Sequence, residues 1–157
     1  MKFFKSVWTK AAAFILVAAL IFVIPQNKPV LLLTNAKTGK VIEKFEFGYN
    51  DTFSISFIHS VNQSEVVDYF KRGKDNKLIC FKNKFYSFGA GMPESWSDGV
   101  TVTTTNDGII VDNLDIELDN VTYIVGTVSD HILEINGKSI SLRDLCGQNS
   151  EVLFKLK

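Results

Sequence analysis

The sequence lacks several features that would assign it to a large functional class. Basic and acidic residues balance, with 17 Lys+Arg against 17 Asp+Glu, so the overall charge gives no support for nucleic-acid binding. No CxxC pair, Cys/His cluster or HExxH sequence occurs, and spacing therefore gives no support for a zinc site. The GxSxG sequence of the α/β-hydrolases is missing as well. No motif names a reaction or a cofactor.

Helical periodicity is also missing beyond the N-terminus, and short alternating or β-branched segments take its place. Turn residues separate these segments, most clearly at Asn106-Asp-Gly108 and Asn136-Gly137. The sequence therefore predicts an all-β fold, an antiparallel β-sandwich or barrel of about ten short strands. Val121 to Val128 is one predicted strand, and Phe85 to Phe88 is a separate strand. Ser141 to Cys146 is the one segment expected to form a helical turn.

A long apolar run occurs only near the N-terminus, where residues 11–24 are uncharged and apolar. Three lysines precede this run: Lys2, Lys5 and Lys10. A basic segment followed by an apolar segment is typical of a signal peptide or a signal anchor. Fourteen helical residues cover about 21 Å, which is short of a hydrocarbon core of about 30 Å. Val7 and Trp8 lengthen the run if the Lys10 side chain reaches the membrane interface.

The end of the apolar run lacks the small residues that signal peptidases require, because residues 22–26 contain no small pair. We therefore predict an uncleaved N-terminal membrane helix over residues 1–27 and an extracytoplasmic β-domain over residues 28–157. The protein would be a single-pass protein of the cell membrane. Secretion after cleavage of a signal peptide is the alternative.

Cysteine is scarce, and Cys80 and Cys146 are the only two. In an oxidising compartment they could form a single disulfide bridge. Cys80 also lies in an apolar alternation with Leu78, which is typical of a small buried side chain. Both interpretations stay open.

Histidine is equally scarce, and His59 and His131 each fall at the end of a predicted strand. Together with Asp68 or Asp130 as an orienting carboxylate, the two imidazoles could bind a metal or move protons. Each imidazole could instead satisfy a local backbone hydrogen bond. His59-Ser60 beside Asp68 invites a hydrolase interpretation, but neighbouring residues of a strand point to opposite faces.

A glycine-rich bend follows the aromatic segment at Phe85 and ends at Pro93, which cannot continue a strand ladder. Gly89 and Gly91 permit positive φ or a close approach of the backbone to another group. Their amides could form a nest for an anion such as a carboxylate or a phosphate, or the segment could be only a tight turn.

Three groups of residues, in this order, resemble the bacterial domain of unknown function 1850 (DUF1850) family. They are His59-Ser-Val61 with Val66 and Asp68, then Phe85-Tyr-Ser-Phe-Gly-Ala-Gly-Met-Pro93, and then Val125-Gly-Thr-Val-Ser-Asp-His-Ile-Leu133 with Ile140-Ser-Leu142. The resemblance runs from about Phe53 to the C-terminus. The chain departs from it at Asn62, where an acidic residue is common, and at Ser64-Glu65, where a Thr-Pro pair is common.

The resemblance implies a small bacterial protein, anchored or secreted, that is often encoded beside TRAP-type (TAXI) solute transporters. It implies no activity. We therefore predict a membrane-anchored extracytoplasmic binding or interaction module, accessory to a transporter or in contact with a small anionic ligand. The alternatives are a hydrolase or metal-dependent enzyme that uses His59 and His131, and a structural envelope protein. The candidate ligand-binding residues are His59, Ser60, Asp68, Ser87, Gly89, Gly91, Pro93 and His131.

Overall fold

The computed structural model of the protein describes residues 29–61, 63–86 and 96–157. These residues form eleven strands and one short helix. The elements are β1 (Val30–Asn35), β2 (Val41–Glu46), β3 (Thr52–Ile58), β4 (Glu65–Arg72), β5 (Leu78–Phe85), β6 (Thr101–Thr105), β7 (Gly108–Leu118), β8 (Val121–Ile124), β9 (His131–Ile135), β10 (Lys138–Ser141), α1 (Leu142–Cys146) and β11 (Glu151–Leu156). The membrane helix predicted over residues 1–27 lies outside the described residues. Within them, no helix has both the length and the apolar character needed to span a bilayer.

The strands form two antiparallel sheets, which confirms the predicted all-β class. One sheet has four strands in the order β2-β1-β11-β8, and the other has seven in the order β10-β9-β3-β4-β5-β7-β6. The first and last strands pair, with Leu31 opposite Leu156. In the larger sheet β3 lies between β4 and β9, so the C-terminal end of β3 faces the start of β9.

Alternating apolar residues from the two sheets meet in one core, as the period-two pattern predicts. Phe53 of β3 is only 2% exposed and lies at the centre of this core. Its ring stacks on Phe70 at 4.9 Å and on Phe154 of the other sheet at 5.5 Å, and it meets the edge of Phe47 at 5.6 Å. These ring contacts join the faces of the two sheets as a sandwich.

The hairpins predicted from turn residues are confirmed. Asn136 and Gly137 have φ values of 52° and 71° and join β9 to β10, as a tight two-residue turn requires. Gly108 follows the turn between β6 and β7 at φ 123°, and a Cβ there would lie 2.7 Å from the Phe85 carbonyl oxygen. The helical turn is confirmed too, because the Ser141 side chain caps α1 by accepting a hydrogen bond from the Asp144 amide at 3.0 Å.

Two predicted strand boundaries were wrong. Strand β8 ends at Ile124 and does not reach Val128, because residues 126–130 turn tightly back on themselves. Phe85 does not open a separate strand, since it is the last residue of the continuous β5. The early end of β8 shapes the surface, because the turn at residues 126–130 takes the place of the predicted strand and forms one wall of a cleft.

Candidate functional site

An open cleft of about 770 Å³ lies at the end of the larger sheet where β3 ends and β9 begins. One wall consists of residues 57–60 with Gln63, and the other consists of residues 126–129 with His131. His59, Ser60 and His131, three of the predicted site residues, therefore line one cleft. Ser87, Gly89, Gly91 and Pro93, the predicted site residues of the glycine-rich bend, lie outside the described residues.

His131 is the first residue of β9, and its side chain is buried beneath the cleft surface. Its ring stacks on Phe57 with 4.9 Å between centroids and lies 5.6 Å from the Tyr123 ring. Its Nδ1 atom accepts a hydrogen bond from the Gly126 amide at 3.2 Å, which leaves the ring proton of the neutral form on Nε2. The imidazole therefore offers a hydrogen-bond donor at Nε2.

Burial lowers the pKa of His131 below its usual 6.5. The Asp130 carboxylate opposes this shift, and the positive charge of Arg143 adds to it. The neutral form of the imidazole therefore predominates at pH 7.

His59 follows β3 directly and forms the first part of a closed loop. Its amide donates to the Ser64 carbonyl at 2.8 Å, and its carbonyl accepts from the Gln63 amide at 2.9 Å. Its Nδ1 atom accepts from the Val61 amide at 3.3 Å. The loop thus holds the second imidazole in place through its own backbone.

Asp130 fixes the second wall by binding backbone groups. One carboxylate oxygen accepts from the amides of His131, at 2.7 Å, and Arg143, at 3.0 Å, while the other accepts from the Ser141 hydroxyl. Desolvation raises the pKa of Asp130, but these hydrogen bonds outweigh it and the net pKa is lowered. Asp130 therefore supports the loop and the start of β9, and its hydrogen bonds go to the His131 amide and not to the imidazole.

Two further hydrogen bonds tie this loop to the sheet and to α1. The Ile58 amide donates to the Ser129 hydroxyl oxygen at 3.0 Å, which joins the two walls directly. The Arg143 Nη2 atom donates to the Gly126 carbonyl at 3.2 Å. Gly126 is needed here because a Cβ atom would lie 2.1 Å from the Ser129 carbonyl oxygen.

Asp68 does not line the cleft. It lies in the middle of β4, and its two oxygens accept hydrogen bonds from the Tyr123 hydroxyl and the Asn83 side-chain amide, each at 2.6 Å. Burial raises the pKa of Asp68 despite these two bonds. Because Tyr123 belongs to the smaller sheet, this hydrogen bond connects the two sheets. Asp68 is thus linked to the cleft through Tyr123, whose ring centroid lies 6.2 Å from that of the cleft residue Phe57.

The polar cluster around Asp68 continues to Cys80, whose sulfur accepts from the Asn83 side chain at 3.7 Å. Burial, with the nearby Asp68 carboxylate, raises the pKa of the Cys80 thiol to about 11. Burial and Asp68 also raise the pKa of Tyr123 strongly. Cys80 and Cys146 are both free thiols in the structure, and Cys80 packs as part of the core.

Sequence reasoning missed the aromatic residues that contact His131 and the second wall of the cleft. Phe57 and Tyr123 support His131, and residues 126–129 face His59 across the opening. Gly126 followed by Ser129-Asp130 was the available signal for a turn, but the apolar residues around it suggested a strand. The described residues contain no group of three or more His, Cys, Asp or Glu side chains placed to hold a metal ion.

The comparison that decides the family is a match to the family described as "Domain of unknown function (DUF1850)", which covers residues 53–142. The chain belongs to the DUF1850 family. The DUF1850 region runs from β3 to the first residue of α1, so it contains both walls of the cleft and leaves out β1, β2 and β11. No curated protein and no solved structure matches the chain.

Acidification is expected to destabilise the protein through His131. Because its pKa in the folded state lies below 6.5, the unfolded chain binds more protons between the two pKa values. The free energy of unfolding should therefore fall as the pH drops below about 6.5. Urea unfolding of the wild type and of His131→Gln at pH 7.5 and 5.5 measures this effect. The wild type should lose more stability than the variant.

The difference between the losses of unfolding free energy in the wild type and in His131→Gln gives the contribution of the imidazole. Asp68, whose raised pKa favours the folded state as protons bind, acts in the opposite direction but is present in both proteins. An equal loss of stability in the wild type and His131→Gln would show that His131 is not held in its neutral form.

Proposed function

We propose that this protein is a binding module of the cell envelope that takes a small ligand into the cleft between His59 and His131. One observation carries the proposal. The two histidines of the chain are separated by 71 residues in the sequence, and both line the same open cleft. The cleft volume of about 770 Å³ lies within the range of small-molecule sites.

The lining suggests the chemistry of the ligand. The neutral His131 imidazole presents Nε2–H as a donor, so it favours a ligand with a hydrogen-bond acceptor such as a carboxylate or a carbonyl. The rim is apolar, with Ile58 44% and Val128 95% exposed. A ligand with an apolar body and one acceptor group fits both features.

The place of the module in the cell completes the proposal. Three lysines and the apolar run of residues 11–24 support an anchor in the cell membrane, with the β-domain on the extracytoplasmic side. The gene neighbourhood implied by the DUF1850 resemblance supports a role beside a TRAP-type (TAXI) solute transporter. The module would capture the solute of that transporter, or a related one, and thereby assist its uptake.

The contacts of Asp68 and Asp130 do not favour a Ser-His-Asp hydrolase built with either of them. Such a triad requires a carboxylate that orients an imidazole. Asp68 instead binds Tyr123 and Asn83, and Asp130 binds two backbone amides and the Ser141 hydroxyl. A binding role requires no such carboxylate.

A fragment screen with a matched pair of variants tests the proposal. Small neutral amides and alcohols are screened by ligand-observed NMR against the full-length protein in mild detergent. Val128→Asp places a charge on the apolar rim, and Val41→Asp places the same charge on β2, where Val41 is 40% exposed. We expect acceptor-bearing fragments to bind the wild type and Val41→Asp, and to lose at least about tenfold in affinity for Val128→Asp.

Circular dichroism of the variants confirms that each is folded. Fragments that bind Val128→Asp and the wild type equally would contradict the proposal, as would the failure of every fragment to bind the wild type saturably.

A further inference from the structure

Arg72 is buried at the other end of the larger sheet, away from the histidine cleft. At that end Thr52 pairs with Lys71, whereas Ile58 pairs with Glu65 at the end that carries the cleft. Arg72 is the last residue of β4 and is only 9% exposed. A guanidinium group is always charged in proteins, and a buried charge is normally paired with an opposite one.

The Arg72 guanidinium lacks such a partner within the part of the chain that the structure describes. Its Nη1 atom donates to the Asn76 side-chain oxygen at 3.1 Å, but Nε and Nη2 are buried and have no hydrogen-bond partner in the described ranges. Neither ion pair found among the described residues includes Arg72, since these pairs join Lys77 to Glu117 and Lys82 to Asp112, each at 3.4 Å.

The two unpartnered nitrogens are placed to bind a carboxylate. Nε and Nη2 lie on one edge of the planar guanidinium, and their N–H groups form the fork that takes both oxygens of a carboxylate. The opposite edge is the one that contacts Asn76. Among the described residues nothing binds these two donors, while the bond from Nη1 to Asn76 holds the group in place.

Arg72 also lines a surface cavity of about 400 Å³, together with Tyr49, residues 73–75 and Asn76. Tyr49 stacks over the guanidinium with 5.5 Å between the ring centroid and the guanidinium carbon, yet it is 78% exposed. Because Nε and Nη2 are buried and Tyr49 is an exposed lining residue that stacks on the guanidinium, we expect the Tyr49 side chain to move when a ligand enters. Lys74 adds a second positive charge to the lining, and the exposed Asp75 adds one negative charge.

We propose that this cavity is a second ligand site, distinct from the histidine cleft, in which Arg72 binds a small organic carboxylate through its Nε and Nη2 atoms. Lys74 contributes attraction at longer range, and the Tyr49 ring covers the bound acid. The site does not depend on the function proposed for the histidine cleft, since it shares no residue with that cleft.

The arginine side chains provide a direct test, because Arg72 and Arg143 are the only two arginines in the chain. Benzoate is titrated into the full-length protein while the two Nε–H signals are followed by ¹⁵N NMR. The signal of Arg72 should shift saturably. The Nε atom of Arg143 is also buried without a hydrogen-bond partner among the described residues, but its Nη2 atom binds the Gly126 carbonyl, so the pair of donors is not available and its signal should not shift. Benzamide, which has the same ring but no carboxylate, should leave both signals unchanged.

Matched substitutions check the role of the fork. Arg72→Lys keeps the charge but removes the two parallel donors, so we expect benzoate affinity to fall at least about tenfold. For both variants the benzoate dissociation constant is read from the backbone amide signal of Gly73, which lines the Arg72 cavity. Arg143→Lys makes the same change on the second wall of the histidine cleft and should leave that constant unchanged. If Arg72→Lys does not fold, the Nε–H titration of the wild type decides the question alone.

Two other probes separate the carboxylate of a small acid from other anions. Inorganic phosphate tests for a general anion site, and a blocked tripeptide with a central glutamate tests for an acidic side chain of a protein partner. Either probe binding as tightly as benzoate would overturn the proposal, as would an Arg72 signal that does not move with benzoate.

Discussion

Replacing Phe53 by alanine is expected to lower the free energy of unfolding by about 3–5 kcal/mol, because the large buried ring leaves a cavity that its neighbours cannot fill. Phe53 is 2% exposed and contacts the rings of Phe47, Phe70 and Phe154. It is the ring through which the two sheets meet. Urea unfolding followed by circular dichroism measures the loss.

Phe81→Ala is the matched control for this substitution. Phe81 lies in β5 of the same sheet but is only partly buried, with the Tyr69 ring at 6.3 Å and the Lys71 ammonium at 5.5 Å from its ring. Its removal should cost much less than the removal of Phe53. Equal losses for the two substitutions would show that the core is not centred on Phe53.

Gly126→Ala is expected to have the second largest effect on stability. It should also have the largest effect on the structure of the cleft. The added Cβ would lie 2.1 Å from the Ser129 carbonyl oxygen, so the backbone of the loop must move. Overpacking of this kind typically costs about 1–3 kcal/mol. The movement also breaks the bond from the Gly126 amide to His131 Nδ1 and detaches the second wall. We therefore expect lower stability together with weaker fragment binding.

Gly48→Ala provides the control, since a Cβ there meets only the Asp51 carboxylate at 3.5 Å, an ordinary contact. Stability and fragment binding should be close to wild type for Gly48→Ala. The account of the loop would be contradicted if Gly126→Ala bound fragments as the wild type does.

The parts of the fold that depend on neighbouring residues were predictable from the sequence. The Asn136-Gly137 hairpin and the helical turn capped by Ser141 each follow from short-range chemistry, and both are confirmed. The end of β8 was not predicted. Val125 and Val128 fit a strand pattern, whereas the turn depends on the close approach of Gly126 to Ser129 and on Asp130.

The candidate site was predictable only in part, for a similar reason. The sequence picked out His59 and His131 by residue type and by their place at strand ends, and the pairing of β3 with β9 brings them to one cleft. The sequence did not predict the hydrogen-bond partner of Asp68, because Tyr123 lies in the other sheet. Contacts between sheets depend on the register of the whole sandwich, which no local pattern encodes.

The most direct test of the histidine cleft uses the fact that the chain has only two histidines and both line it. The ring signals of ¹⁵N-labelled histidine in the full-length protein are followed while the tightest fragment from the screen is titrated. The account predicts that the signals of His59 and His131 move together with a single dissociation constant. Saturation of the protein with the fragment while both imidazole signals stay in place would contradict it.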